Sequence, residues 1–348
     1  MKLKVWYYNF WNHFKLLERS FTQYLSDNGY EFELNETNPD IVFFNSFGQI
    51  NYSGNALKIG YVTEDMHRFT GIYKKINENF FDLVIGNLPP IDNIKFCKHP
   101  LYINSGNYKE PLLMINQINN FVKDRDTNNL KFCNLIASHD NYGNRKPILD
   151  KLSDISFIEC PGKFNSNVES FDDKGLSKRD YLKQFVFTIC PENHFGHEGY
   201  TSEKLLDAAL TGCIPIYLGR TNDDQDSKVF NQNRIIRYNP DDEESMNVCH
   251  KKVLELMNNK DKLKEFYQQP IFNDSATDMI NNLLNDLKIK FDNLIESNID
   301  KINKSDNMNL IFNQYVAPQH QKDSIDTSQF LFNFDEPKNN TSDTIKYV

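Results

Sequence analysis

Residues 185–219 admit few folds. The run FVFTIC at 185–190 is a continuous apolar and β-rich strand. Residues 203–210 follow with helical character, Gly212 supplies a helix stop, and CIPIYL at 213–218 is a second strand. Strand, helix and strand at this spacing form a βαβ unit, whose crossover is right-handed. The loop between the first strand and the helix carries Glu192, Asn193, His194, His197, Glu198 and Tyr200, with Glu203 and Lys204 at the helix start. A helix N-terminus presents free N–H groups and the positive end of a dipole, which suits an anion. The lysine adds a full charge there, as a diphosphate would require.

The same alternation runs through the rest of the chain. Before residue 125, strands are expected at 3–8, 41–45, 58–62, 83–86 and on the approach to Leu101. A helix over 14–26 has apolar residues Phe14, Leu16, Leu17, Phe21 and Leu25, and stops at Asn28-Gly29. The polar stretch FVKDRDTNN at 121–129 reads as a linker. Beyond it, strands are expected at 130–138 and 155–160, and helices at 146–152 and 178–183, the latter capped by Ser177. After Pro240 the chain turns helical, over about 241–258, 261–267 and 276–295, and residues 296–348 are polar without clear period. These patterns predict an α/β chain of two doubly wound units, 1–125 and 126–295, followed by a partly ordered tail, 296–348.

Composition narrows the function classes. A hydrophobic fraction of 39% with 13% aromatics supports real cores. A net charge of −9 disfavours nucleic acid as a partner. The six cysteines form no CxxC pair, so they read as reduced, mostly buried thiols in a reducing compartment and not as a zinc site. No stretch approaches the roughly 20 apolar residues that span a bilayer, and the opening MKLKVWYYNFWNHFKLLERS lacks the apolar core and cleavage site of a signal peptide.

The ordered set Glu192-Asn193, Tyr200, Glu203-Lys204, Asp207-Ala208, Pro215 and Gly219 resembles the signature stretch of family-10 glycosyltransferases, the α-1,3/α-1,4-fucosyltransferases. Ser202 stands where the family usually has Thr, and Pro191 where it often has an aromatic residue. DIVFFNSFG, YVTED, FDLVIGN and HPLY are similar to further family landmarks in the right order. The resemblance implies the GT-B architecture, two Rossmann-like domains facing a cleft, with 1–125 binding the acceptor and 126–295 the nucleotide sugar. Golgi members of that family begin with a membrane anchor; with none seen in the opening residues, a soluble enzyme of bacterial or viral type, made in a cytoplasm, is expected. Its activity would be inverting transfer of fucose from GDP-fucose to a hydroxyl of a GlcNAc- or Glc-type glycan, with no cofactor or required metal. The rivals are the same fold with another nucleotide sugar, and a glycan- or nucleotide-binding module without catalysis.

Roles follow residue by residue. Glu64 lies just past the apolar run 57–62, where open α/β sheets place their sites. Tyr61 and Glu64 match a family Y-x-x-E stretch, which implies Glu64 as catalytic base, with Asp65 as its rival. Arg145 and Lys204 are implied as donor-binding cations for the diphosphate, with Lys146 the alternative to Arg145. Glu203 is expected to accept from ribose or sugar hydroxyls and to stabilise charge on the sugar. Tyr200 either lines the base or ribose pocket or packs; Asn193 and Glu192 either contact the donor or shape the turn. His194 and His197 have HxxH spacing, but the intervening Gly196 suggests a loop and no metal pair. Asp124-Arg125-Asp126 matches a metal-binding DxD string by chance, since no strand precedes it. Arg234 and Arg237 either aid nucleotide binding or sit on a strand rim.

Overall fold

The computed structural model describes residues 1–10, 21–65, 69–88, 93–195, 199–219 and 225–302. The first unit runs β1 (Lys2–Tyr8), α1 (Phe21–Asp27), β2 (Glu31–Leu34), β3 (Ile41–Asn45), β4 (Leu57–Val62), α2 (Thr70–Asn77), β5 (Leu83–Gly86), β6 (Phe96–Lys98) and the short α3 (Leu101–Ser105). Its strands lie in the order β2-β1-β3-β4-β5-β6, and every neighbouring pair is parallel. α4 (Pro111–Lys123) leads to a second unit of β7 (Lys131–Leu135), α5 (Lys146–Leu152), β8 (Ile158–Glu159), α6 (Lys178–Leu182), β9 (Phe185–Ile189), α7 (Glu203–Thr211), β10 (Ile214–Tyr217) and β11 (Ile236–Arg237). This sheet is also parallel, in the order β11-β10-β9-β7-β8. The helices α8 (Glu243–Asn258), α9 (Lys260–Gln268) and α10 (Ala276–Glu296) follow.

Side-chain alternation explains why both faces of the first sheet are covered. Along β3, Ile41 and Phe43 enter one core with Phe21, Leu25 and Phe291, while Val42 and Phe44 enter another with Ile72 and Phe81. The central strand β9, FVFTI, is buried along its whole length. α4 adds Ile115, Ile118 and Val122 to the second unit's core, so the segment 121–129 comprises the last turn of α4 and the turns after it. α10 serves both units. Its first half places Ile280, Leu283 and Leu284 in the second core, and its second half places Leu287, Phe291 and Ile295 against the first sheet.

The Ser177 cap and the Gly212 stop expected from sequence are seen, and Ser202 and Asp242 add caps that the sequence analysis did not name. Ser177 accepts from the Asp180 amide, Ser202 from Lys204 and Asp242 from Glu244 and Ser245. Gly212 ends α7 in the left-handed region at φ +71°. The strand expected at 155–160 shortens to Ile158–Glu159: the Ile155 amide is taken by the Leu152 carbonyl at 3.1 Å, and the Cys160 amide donates 2.7 Å to Asn167 Oδ1. The helix expected over 14–26 is seen from Phe21, its earlier part lying outside the described residues, as do 303–348 of the tail. Among the described residues, no helix is long and apolar enough to cross a membrane, and all six cysteines are free and buried.

Strand order reverses beside β1 in the first sheet and beside β7 in the second. Crevices form beyond the carboxyl ends of strands at such switch points. The loops after β7 and β9 emerge at the second of these, and the loop after β4 emerges at the carboxyl end of the first sheet, one strand beyond β3.

Candidate active site

A cavity of about 830 Å³ lies between the two units. Tyr61, Glu64 and Asn104 of the first unit and Arg145, Asn193, Glu203 and Lys204 of the second are among the residues that line it. Residues more than a hundred positions apart thus share one space.

Glu64 is held at the rim of the first sheet by a tied turn. Thr63 Oγ1 donates to Asn45 Oδ1 at 3.1 Å, and Asn87 Nδ2 donates to the Thr63 carbonyl at 2.9 Å, so the ends of β3, β4 and β5 are joined. Oε2 of Glu64 accepts 2.7 Å from the Tyr200 hydroxyl. Asp65 is 2% exposed and pairs with His194, Oδ2 to Nδ1 at 2.7 Å. The two adjacent acids therefore differ: Glu64 faces the cavity, and Asp65 is buried against an imidazole. His197 lies outside the described residues. Among those described, no cluster of three or more His, Cys, Asp or Glu is placed to hold a metal.

Arg145 precedes α5 and is 4% exposed. Asp140 fixes the turn, accepting from the Arg145 amide at 2.9 Å and the Lys146 amide at 2.7 Å. The guanidinium donates to Asn193 Oδ1 at 2.9 Å and to the His139 carbonyl. Its alternative, Lys146, turns to solvent and pairs with Asp150 one helical turn on.

Lys204 stands in the first turn of α7, with Nζ 3.4 Å from Ser202 Oγ, 3.7 Å from Glu192 Oε2 and 4.0 Å from Glu203 Oε1. Burial opposes its charge, but the carboxylates of Glu203, Glu192 and Glu64 prevail and raise its pKa, so it remains a cation. Glu192 is fully buried, accepts from the Ser202 amide at 2.8 Å and from Tyr217 hydroxyl at 2.9 Å, and has its pKa raised by that burial against the pull of Lys204. Its Oε2 makes no hydrogen bond. Glu192 reaches the cavity through Lys204 and the Ser202 turn, and Tyr200, 4% exposed, reaches it through Glu64. Of the alternatives that the sequence offered for them, the packing of Tyr200 and the turn-shaping role of Glu192 are the ones these hydrogen bonds describe.

Three charged residues on the cavity wall were not singled out as site residues from the sequence. Lys178 and Arg179 at the start of α6 both contact Asp207, at 3.0 and 2.9 Å, and Arg179 also donates to the Ser105 carbonyl of the first unit at 3.1 Å. Asp207 lies four residues after Glu203, on the same face of α7. Behind the first-unit wall, buried His99 contacts Asn104 Oδ1 at 2.8 Å, and Asn104 Nδ2 donates to the Tyr61 hydroxyl at 2.8 Å.

The remaining arginines singled out from the sequence, Arg125, Arg234 and Arg237, are not among the residues that line the cavity. Arg125 of the DxD string donates to the carbonyls of Lys183 and Phe185. Arg237 donates to the Gly219 carbonyl at 2.7 Å, and Arg234 is buried over the rings of Phe266 and Tyr267, at 4.8 and 5.1 Å.

No family model matches the chain. It is 27% identical over 232 residues to the alpha-(1,3)-fucosyltransferase FucT of Helicobacter pylori, covering 59% of this chain and 45% of that one. The chain thus spans less than half the length of this curated relative. A crystal structure of an alpha1,3-fucosyltransferase superposes with a TM-score of 0.63 at 20% identity, covering 85% of this chain and 90% of the other. A crystal structure of alpha1,3-fucosyltransferase with GDP-fucose gives 0.58 at 18% identity, over 82% and 90%. The two parallel sheets and their facing cleft are therefore the GT-B fold of these glycosyltransferase structures.

Proposed function

We propose that this chain is an inverting, metal-independent glycosyltransferase of the family-10 type that moves fucose from GDP-fucose to a hydroxyl of a GlcNAc- or Glc-containing glycan, forming an α-1,3 or α-1,4 linkage. The observation behind the reading is one cavity lined by Glu64 from the first unit and by Arg145 and Lys204 from the second. Glu64 takes the proton of the acceptor hydroxyl as its oxygen bonds to the sugar C1. The bond from C1 to the diphosphate breaks on the opposite side. Arg145, with a planar fork, and Lys204, with a compact charge, stabilise the departing oxygens. These two cations do the work that a divalent ion does elsewhere. Glu203 accepts from ribose or sugar hydroxyls and faces the positive charge that develops on the sugar. Free, buried cysteines fit work in a cytoplasm.

The test is a binding series with GDP, GDP-fucose, GDP-mannose, UDP and TDP, followed by thermal shift. Ligand at about 100 times its Kd stabilises by about 2.7 kcal/mol. Shifts with GDP and GDP-fucose are expected. A shift with another nucleotide alone would reject the donor assignment, and transfer of labelled fucose to a GlcNAc-terminated oligosaccharide then tests the reaction itself.

A further inference from the structure

A buried carboxylate outside the cavity ties together the edge of the first sheet and the loop that leads to Lys204. Asp226 lies in the short 3-10 turn Gln225–Lys228 and is fully buried. Its Oδ2 accepts from Lys98 Nζ at 3.2 Å and from Thr201 Oγ1 at 2.8 Å, and its Oδ1 accepts from the Tyr102 hydroxyl at 2.7 Å. The three donors come from the end of β6, from α3 and from the loop before α7. None is within seventy residues of another segment's donor except Lys98 and Tyr102, so only the folded assembly of both units brings them together. Lys98, Tyr102 and Thr201 are themselves buried.

The neighbours of Thr201 give this arrangement its meaning. Tyr200 donates to Glu64. Ser202 gives its amide to Glu192 and caps α7 by accepting from the Lys204 amide at 3.3 Å. The turn follows Gly199, whose φ of +84° few other residues adopt. One hydroxyl-to-carboxylate bond therefore sits between the contact to the candidate base and the cap of the candidate donor helix. Charge-assisted bonds of this kind are the stronger hydrogen bonds. Removing any donor leaves a buried carboxylate undersatisfied.

We propose that Asp226 is a positioning residue: held by Lys98 at the edge of the first sheet and by Tyr102 of α3, whose ring packs in the second core, it fixes Thr201 and so sets the turn that presents Lys204 to the cleft and Tyr200 to Glu64. Its consequence for donor binding rests on the function proposed above; its consequence for the turn does not.

Two variants and two readouts test it. Thr201→Val keeps the shape and removes the hydroxyl, and Thr201→Ser keeps the hydroxyl. Hydrogen exchange on the nucleotide-free protein is expected to quicken at the Ser202 and Lys204 amides in Thr201→Val, by about tenfold, while the β9 amides and the Thr201→Ser protein match the wild type. GDP affinity should fall about tenfold in Thr201→Val and stay within about twofold in Thr201→Ser. Unchanged exchange in Thr201→Val, equal acceleration in β9, or equal loss in both variants overturns the proposal, as does wild-type GDP affinity in Thr201→Val. If the wild type binds no GDP while the exchange pattern holds, the nucleotide reading falls and the positioning role stands.

Discussion

The Tyr200 hydroxyl donates 2.7 Å to Glu64 Oε2, joining the loop ahead of α7 to the rim of the opposite sheet. Burial, then the carboxylates of Glu64 and Glu192, hold the Tyr200 phenol well above its ordinary pKa, so it stays a donor. It orients one carboxylate oxygen of Glu64 and links the candidate base to the candidate donor site.

Glu64→Gln preserves an oxygen that accepts from Tyr200 and removes the basicity. Fucosyl transfer should fall by roughly 10² or more, the usual worth of a positioned base, while GDP affinity stays within about threefold. Turnover near wild type in a steady-state assay would move the base to another group, with Asp65 and its His194 partner next in line.

Arg145 and Lys146 offer a direct contrast between neighbours. Arg145→Lys loses the fork that spans Asn193 and the His139 carbonyl, and GDP binding by calorimetry should weaken by about tenfold or more. Lys146→Ala removes only an exposed pair with Asp150, which is worth little, and should leave GDP affinity within about twofold. Equal losses would show that the helix start, and not the guanidinium, holds the phosphates.

His99 predicts an acid-side dependence of stability. Burial lowers its pKa from 6.5 to about 4, against the opposing hydrogen bond to Asn104. The unfolded chain binds this proton from about pH 6.5 downward, and the folded one does not until about pH 4. Stability from this group is therefore complete above pH 6.5 and falls as pH drops towards 4, by an upper bound of about 3 kcal/mol. His99→Gln keeps an amide able to meet Asn104 and cannot titrate. Urea unfolding at pH 7.5 and 5 should show a smaller difference for the variant than for the wild type; identical slopes would remove His99 as the cause.

Much of this architecture was legible because local and tertiary demands agree. The buried parallel strands β3 and β5 and helix α5 fall at the residues expected, since unbroken apolar runs bounded by turn residues leave little choice of register. Glu64, Arg145, Glu203 and Lys204 were named from motif and strand-end position, and they line one cavity. The sequence did not reveal which expected contacts act at one remove. Glu192 sits in the motif, yet its burial beneath Ser202 and Tyr217 is a property of packing. Lys178, Arg179 and Asp226 were missed for the opposite reason. Each is an ordinary charged residue in its own stretch, and its partners, Asp207, Ser105, Lys98 and Thr201, come from distant segments.

Gly86 should be among the costliest glycines to replace. It ends β5 at φ +136°, and a Cβ there would stand 2.0 Å from the Val62 carbonyl oxygen. That oxygen accepts from the Asn87 amide at 2.8 Å, and the Gly86 carbonyl accepts from the His99 amide at 2.8 Å, so the backbone cannot retreat without breaking the rim below Glu64. Gly29 is the natural control: its φ is +102°, but nothing lies within 4 Å of a Cβ built on it. Gly29→Ala should therefore lose only the conformational term, of order 1–3 kcal/mol. Gly86→Ala should lose that plus the steric term, at least about 2 kcal/mol more in denaturant unfolding. It should also weaken transfer, because the turn carrying Glu64 is tied to Asn87. Equal losses for the two variants would show that the β4 and β5 ends can part cheaply, and that the rim beneath Glu64 is not held by this close approach.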